Sequence, residues 1–337
     1  MFKKLTIITN PIAGSGRAMK FLETLKTDLA HHQIENELKL TAQAGDALQI
    51  AREYSEDHPI LCLGGDGTVN EIINGLLSNN HFTVVNRPVL GIIPFGSGNV
   101  IAKELHLKRN IRHFIHLYQN NFTRYLDVGC IHLPAPLDIG TQAGLLEANK
   151  SARGGSAVGT EKQKKDSNQK RYFISMAGIG FDAEVTRQYQ LDRNGAKLQA
   201  HLFSYFPIAI KTIARYQMPH ITIQIDDKIV SSDATFVQVA NVRSYGGPFV
   251  LVNNAVSDDG LLDICWFSGK SSLNLILYYT FAFLGNGSLI ASGKLKSKKI
   301  ILSSKQTVPL QVDGDFCGYL PVEIGIIPKS IQVYTSI

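Results

Sequence analysis

The chain has only four cysteines in 337 residues, and none of them pairs as CxxC. Cys62, Cys130, Cys265 and Cys317 are far apart and three lie in apolar runs, so they read as reduced core residues, not as a disulfide framework or metal cluster. That usage suits a reducing compartment. Charge is sparse: 18% of residues are charged against 44% hydrophobic, which excludes a chain too polar to fold. Long hydrophobic runs are missing as well. The N-terminal LTIIT ends at Asn10-Pro11, too short for a secretion signal. The most apolar stretch, 273–284 (LNLILYYTFAFL), is too short to span a bilayer and predicts a buried or interfacial helix. The net charge of +6 suits an anionic surface or a phosphorylated ligand, and with no RNA- or DNA-binding motif beside it nucleic acid is not an expected partner. There is no GxxxxGK[ST] loop, no protein-kinase HRD or DFG set, and no Rossmann fingerprint in the first strand-to-helix turn.

What is present is a strand–helix alternation in the first third. Apolar strands read at 5–9, 34–40, 59–63 and 89–93. Between them Ala18, Leu22, Leu25 and Leu29, then Ala47, Ile50 and Ala51, then Val69, Ile72, Ile73 and Leu76 recur at helical spacing. This rhythm predicts a three-layer α/β domain with a mostly parallel sheet over 1–124. Beyond it the runs at 125–131, 172–176, 221–225, 235–242, 262–267, 299–303 and 308–312 are β-like, with one helical region around 182–216. They predict a β-rich sandwich domain over 125–324. The last strand, 331–334, is open between the two domains, and 325–337 could return to the first. Residues 134–170 lose all periodicity and read as a long flexible insertion.

Three glycine-rich turns follow three strands: NPIAGSG at 10–16, GGDGT at 64–68 and PFGSGN at 94–99. In a parallel sheet such turns share the rim where ligands bind, and glycines let backbone N–H groups approach phosphate oxygens. Their joint reading is a phosphate-rich nucleotide laid across the sheet edge. Asp66, flanked by glycines, could hold a metal or accept a proton, while Thr68 and Glu71 fit a capping box. Two acidic clusters come later. Asp258, Asp259 and Asp263 crowd one turn, which offers either Mg²⁺ ligands or solvated acids. Asp313-Gly314-Asp315 reads as a hairpin turn or as catalytic acids.

Taken together these motifs resemble the diacylglycerol kinase catalytic family, which includes sphingosine kinases and bacterial soluble lipid kinases. The resemblance rests on NPIAG at 10–14, Thr41 in TxxxGDA, GGDGTVNEIINGL at 64–76, PFGSGN at 94–99, GIGFDAEV at 178–185, GGPFVLVNNAVSDDGLLDI at 246–264 and VDGD at 312–315. It implies an active site in the cleft between the two domains and transfer of phosphate from ATP, with Mg²⁺, to a lipid hydroxyl. Implied nucleotide contacts are Asn10, Pro11, Ile12, Ala13, Gly14, Thr41, Gly64, Gly65, Asp66, Gly67, Thr68, Val69, Asn70 and Ser97. Val256, Asp259 and Leu261 match a structural Mg²⁺ turn, two of those ligands being backbone carbonyls. Asp315 matches the proton acceptor, Asp66 an essential acid, and Asp127 a further family acid. The chain departs from the pattern in reading GSGNV, with Val100 where Asp is common, and D-G-D for D-G-E, which leaves Asp313 and Asp315 both open as the base.

The resemblance further implies a cytoplasmic enzyme of lipid metabolism that touches the membrane peripherally, with Lys294, Lys296, Lys298 and Lys299 as a candidate basic contact. A homodimer stays open. The rival readings are an NAD kinase-like enzyme with a soluble substrate and a nucleotide- or lipid-binding protein without catalysis.

Overall fold

A computed structural model describes residues 3–133, 170–192, 206–213, 215–246, 249–250, 252–269 and 271–336. The insertion expected over 134–170 lies outside the described residues but for Lys170. The first half runs β1 (Lys4–Thr9), α1 (Arg17–His31), β2 (Glu35–Leu40), α2 (Asp46–Arg52), β3 (Ile60–Gly64), α3 (Asp66–Leu77), β4 (Leu90–Pro94), α4 (Val100–Glu104), α5 (Ile111–Gln119) and β5 (Thr123–His132). The second continues with β6 (Lys170–Phe173), β7 (Met176–Ile179), α6 (Phe181–Asp192), α7 (Phe206–Ile213), β8 (Ile221–Ile225), β9 (Lys228–Ala234), β10 (Phe236–Ala240), β11 (Ser244–Gly246) and β12 (Phe249–Val250). It ends with β13 (Leu262–Phe267), α8 (Ser272–Phe283), β14 (Gly293–Ser297), β15 (Lys299–Ser303), β16 (Pro309–Val312), β17 (Asp315–Tyr319) and β18 (Val322–Tyr334).

The parallel strands β2-β1-β3-β4 form the N-terminal sheet. β3 and β4 are buried along their whole length, as strands covered on both faces must be. Their side chains alternate between two cores. Ile8, Ile60 and Cys62 pack with Ala47 and Ala51 of α2 and with Val69, Ile72 and Ile73 of α3. Ile7, Leu61 and Leu63 pack with Leu22, Leu25 and Leu29 of α1 and with Phe114 and Ile115 of α5.

The C-terminal half is an antiparallel sandwich. A six-stranded sheet, β14-β13-β10-β7-β16-β17, faces the continuation of the first sheet through β18, β15, β8 and β9. Ile179, Val237, Ile264 and Leu310 of one layer meet Ile223, Ile300, Leu302 and Ile324 of the other. β18 resolves the strand left open by the sequence: it belongs to both halves. Its first part pairs with β15, and Val333 near its end pairs in parallel with Leu90 of β4. A ten-stranded sheet therefore runs through the whole molecule.

The strand expected over 172–176 is broken in two. At Ile174 and Ser175 the backbone N–H groups leave the ladder and donate to the carboxylate of Asp313, at 2.9 Å each.

Candidate active site

The three glycine turns meet at the carboxyl ends of β1, β3 and β4. Gly65 and Gly96 touch backbone to backbone: a Cβ on Gly65 would stand 2.8 Å from the Gly96 Cα. No larger residue permits that approach. Gly14, at φ +60°, lies against Phe95, where a Cβ would come 3.3 Å from the Phe95 carbonyl oxygen. The Phe95 N–H donates to the Gly64 carbonyl at 2.8 Å, so the second and third turns are also tied by the sheet. The rim brings together Asn10, Pro11, Gly14, Gly64, Gly65, Asp66 and Ser97. Asn10 closes its own turn by accepting the Ile12 N–H at 3.0 Å, Ile12 is exposed, and Ala13 packs into the core beside Phe95. Thr41 is buried next to the rim, its N–H on the Thr9 carbonyl at 3.0 Å.

α3 starts at Asp66, so its free N–H groups and positive dipole end face the rim. The expected capping box does not form. Thr68 lies inside the first turn, packed against Gly64, and Glu71 instead accepts the Gly45 N–H at 3.0 Å. The box needs its Thr before the helix, and the helix begins two residues earlier. Asp46 closes the same 41–46 turn by accepting from Ala42 and Gln43 at 2.8 and 2.9 Å. Val69 is a core residue, 2% exposed, and its N–H donates to the Gly65 carbonyl at 3.1 Å.

The three catalytic candidates are placed differently. Asp66 turns toward the β4–α4 turn. The Ile101 N–H donates to it at 3.4 Å, and a Cβ on Gly98 would stand 2.8 Å from its Oδ2. Burial pushes its carboxyl above the usual range, opposed by the backbone N–H groups of Val100, Ile101 and Asn99. Asp313 and Gly314 are the two central residues of the β16–β17 hairpin, with φ of 48° and 86°. A two-residue turn wants positive φ at both positions, which Asp-Gly tolerates. Asp313 Oδ1 accepts from Ser175 and Met176 at 2.9 and 3.0 Å; Oδ2 accepts from Ile174 at 2.9 Å and from the Asn70 amide at 2.6 Å. Those four donors fill the lone pairs of the carboxylate. Asp315 is more open, its side chain 48% exposed. Arg171 holds Oδ2 at 3.1 Å, and Gln190 of α6 reaches Oδ1 at 3.4 Å.

Asn70, one of the expected nucleotide contacts, is committed to the junction of the two halves. One turn further along α3, Asn74 donates to the Tyr172 carbonyl at 3.0 Å and accepts the Tyr172 N–H at 2.9 Å. The sequence reading passed over Asn74, Arg171 and Gln190. The spacing of Asn70 and Asn74, four apart on one helical face, was the only local signal.

In the acidic turn at 256–263 the carboxylates meet a lysine. Asp259 Oδ1 accepts the Leu261 N–H at 3.0 Å, and its Oδ2 holds the Lys296 ammonium at 2.6 Å. Lys296 also lies 3.2 Å from Asp263 Oδ2 and 3.4 Å from the Asn254 carbonyl. An ammonium has three donors, and here three oxygens surround it. A cation wanting six oxygens would have to displace it. Among the described residues no cluster of three or more His, Cys, Asp or Glu is placed to hold a metal. The turn expected to supply Val256, Asp259 and Leu261 as ligands thus holds the Lys296 ammonium between its acids. Asp127, fully buried, supports the same turn, accepting the Gly260 N–H at 2.6 Å and the Lys329 N–H at 2.7 Å. A cavity of about 570 Å³ opens behind this turn, between Glu104, His106, Arg124, Arg243 and Val256, and none of the glycine-turn residues lines it.

Residues 4–131 match the family model of the diacylglycerol kinase catalytic domain, and residues 175–335 match that of the YegS C-terminal NAD kinase beta sandwich-like domain. A diacylglycerol kinase of Staphylococcus carnosus (strain TM300) is 25% identical over 99% of this chain and 96% of its own length. One of Bacillus subtilis (strain 168) is 26% identical over 98% of this chain and 96% of its own. The crystal structure of a diacylglycerol kinase from Bacillus anthracis str. Sterne shares the fold, with a TM-score of 0.67 at 21% identity over 99% of this chain and 97% of that one.

Proposed function

Because this chain belongs to the diacylglycerol kinase catalytic family, we propose that it is an ATP-dependent lipid kinase that transfers the γ-phosphoryl group to a lipid hydroxyl of the diacylglycerol or sphingoid type. One observation carries this reading: the glycine turns at the rim and the D-G-D hairpin of the other half are locked together through Asn70 and Asp313. Phosphoryl transfer asks for positioning and offset charge more than for covalent chemistry. In this reading the three turns hold the phosphates with backbone N–H groups, and the α3 N-terminus adds its dipole. Asp66 keeps the second and third turns in register. Asp315, with oxygens not saturated by donors, takes the proton of the acceptor hydroxyl, and Arg171 and Gln190 aim it. A divalent ion travelling with ATP offsets phosphate charge and belongs to the substrate. The enzyme works from the cytoplasm on a lipid held in the membrane.

A second reading, phosphorylation of a soluble dinucleotide, is favoured by the NAD kinase-like description of the 175–335 match. Incubating the full chain with γ-labelled ATP and diacylglycerol, monoacylglycerol, sphingosine, ceramide or NAD separates the two. We expect label in a lipid. Label in NAD alone moves the assignment to the second reading, and no acceptor-dependent ATP consumption reduces the protein to a binder.

A further inference from the structure

α8 and the short turn after it carry an unusual surface. Leu273, Ile276, Leu277, Phe283 and Leu284 fall at the spacing of one helical stripe, and with Leu289 they are between 45% and 65% exposed. These six are over a third of the sixteen large apolar side chains exposed among the described residues, yet they lie within seventeen positions. No Asp, Glu, Lys or Arg occurs from 271 to 292. The opposite face of α8 is ordinary core: Leu275, Tyr278 and Ala282 pack on Phe236, Cys265 and Phe267 of the six-stranded sheet. Burying the inner face thus leaves a second apolar face outward, which water alone does not favour.

Lysines flank the stripe. Lys294 stands opposite Cys265 in the β13–β14 register, and directly opposed residues share a face of the sheet. Cys265 lies in the cluster beneath α8, so Lys294, which is exposed, projects on the α8 side. On the same side α7 packs Ile208, Ala209 and Ile213 into that cluster and exposes Ile210 and Lys211. Of the four lysines read from the sequence as a basic contact, Lys296 is bound to Asp259 and Asp263, and Lys299 to Glu323 at 2.9 Å.

We propose that the outer face of α8, with Leu289, Ile210, Lys211 and Lys294, is the surface on which the protein docks to an anionic lipid bilayer. An uncharged apolar stripe bordered by lysines is the pattern of a helix lying in a membrane interface. The position suits delivery of a lipid. Phe181, at the start of α6, meets Tyr279 of α8 with ring centroids 5.6 Å apart and the rings tilted at 59°, and the same α6 carries Gln190 to Asp315. The inference deepens the lipid-kinase reading and rests on it for the choice of a bilayer as occupant.

The test is co-sedimentation of the full chain with phosphatidylcholine vesicles, with and without phosphatidylglycerol. Wild type should bind the anionic vesicles at least about tenfold more tightly than the neutral ones, and Ile276→Asp/Leu277→Asp should lose at least about tenfold of that binding. Lys294→Glu, which leaves the apolar stripe intact, should weaken binding to anionic vesicles alone, and it keeps the test open should the double variant not fold. Phosphorylation of a short-chain acceptor in solution should be unchanged in Lys294→Glu. Absence of wild-type binding, equal binding by the variants, or a shift from dimer to monomer on gel filtration of the double variant overturns the proposal. Vesicle binding without kinase activity would sink the kinase reading and leave the surface standing; kinase activity on micellar lipid without vesicle binding would do the reverse.

Discussion

The C-terminal half has two acid-rich turns, and the fold treats them in opposite ways. At 256–263 every aspartate has a fixed partner: Asp258 pairs with Arg124, and Asp259 and Asp263 share Lys296. At 313–315 the fold saturates one acid and leaves the next with room. Asp313 accepts four N–H groups, three from the β6–β7 break and one from α3. Asp315 meets a guanidinium and a distant amide while its side chain stays half exposed. The difference teaches that aspartates equally dense in sequence divide into saturated and open ones by the number of donors that reach them.

Four experiments press on that division, the largest expected effect first. Asp315→Asn should cost about 10² to 10⁴ in lipid-dependent ATP turnover while its urea midpoint stays near that of wild type. Turnover at the wild-type rate would remove Asp315 from the chemistry. Asp313→Asn turns an amide toward N–H donors and should lower unfolding stability by about 3 kcal/mol, read by urea titration. Were this variant as stable as wild type but inactive, the two acids would exchange roles. Lys296→Ala should cost about 1 kcal/mol and make the melting temperature rise with added Mg²⁺, whereas the nucleotide-free wild type should not respond. A wild-type response that vanishes in Asp259→Ala would restore the metal turn.

The smallest effect concerns pH. Burial raises the Asp66 carboxyl above its unfolded value, so folding favours its protonated form. That contribution is whole below the unfolded pKa and is lost as pH rises through the folded one. Asp66→Asn does not titrate. The stability of wild type relative to Asp66→Asn should therefore fall as pH rises from about 4, by no more than about 1.4 kcal/mol per unit. A flat difference would show that Asp66 ionises as freely as in the unfolded chain.

Much of this architecture was legible in advance. Apolar runs located β1, β3 and β4, the stripes of α1 and α3 gave the helices between them, and the glycine turns marked the rim. The stretch at 273–284, too short for a membrane span, is α8. The corrections share one cause. Asn70 and Asp313 are 243 residues apart, Asn74 and Tyr172 98, and Arg171 and Asp315 144. Pairs at such separations leave no period or local motif. The capping box failed because a T-x-x-E match records spacing only, and the helix begins at Asp66, two residues before Thr68.

By itself the sequence determined the first parallel strands and the helices between them, the two-part plan and the glycine rim, because burial patterns and turn chemistry act between neighbours along the chain. Only the tertiary structure decided which acid stays open, that Lys296 meets the acids of the 256–263 turn, and that β18 stitches the halves into one sheet. Those outcomes depend on which donors arrive from remote strands, and a carboxylate's role follows from the partners it meets once the chain is folded.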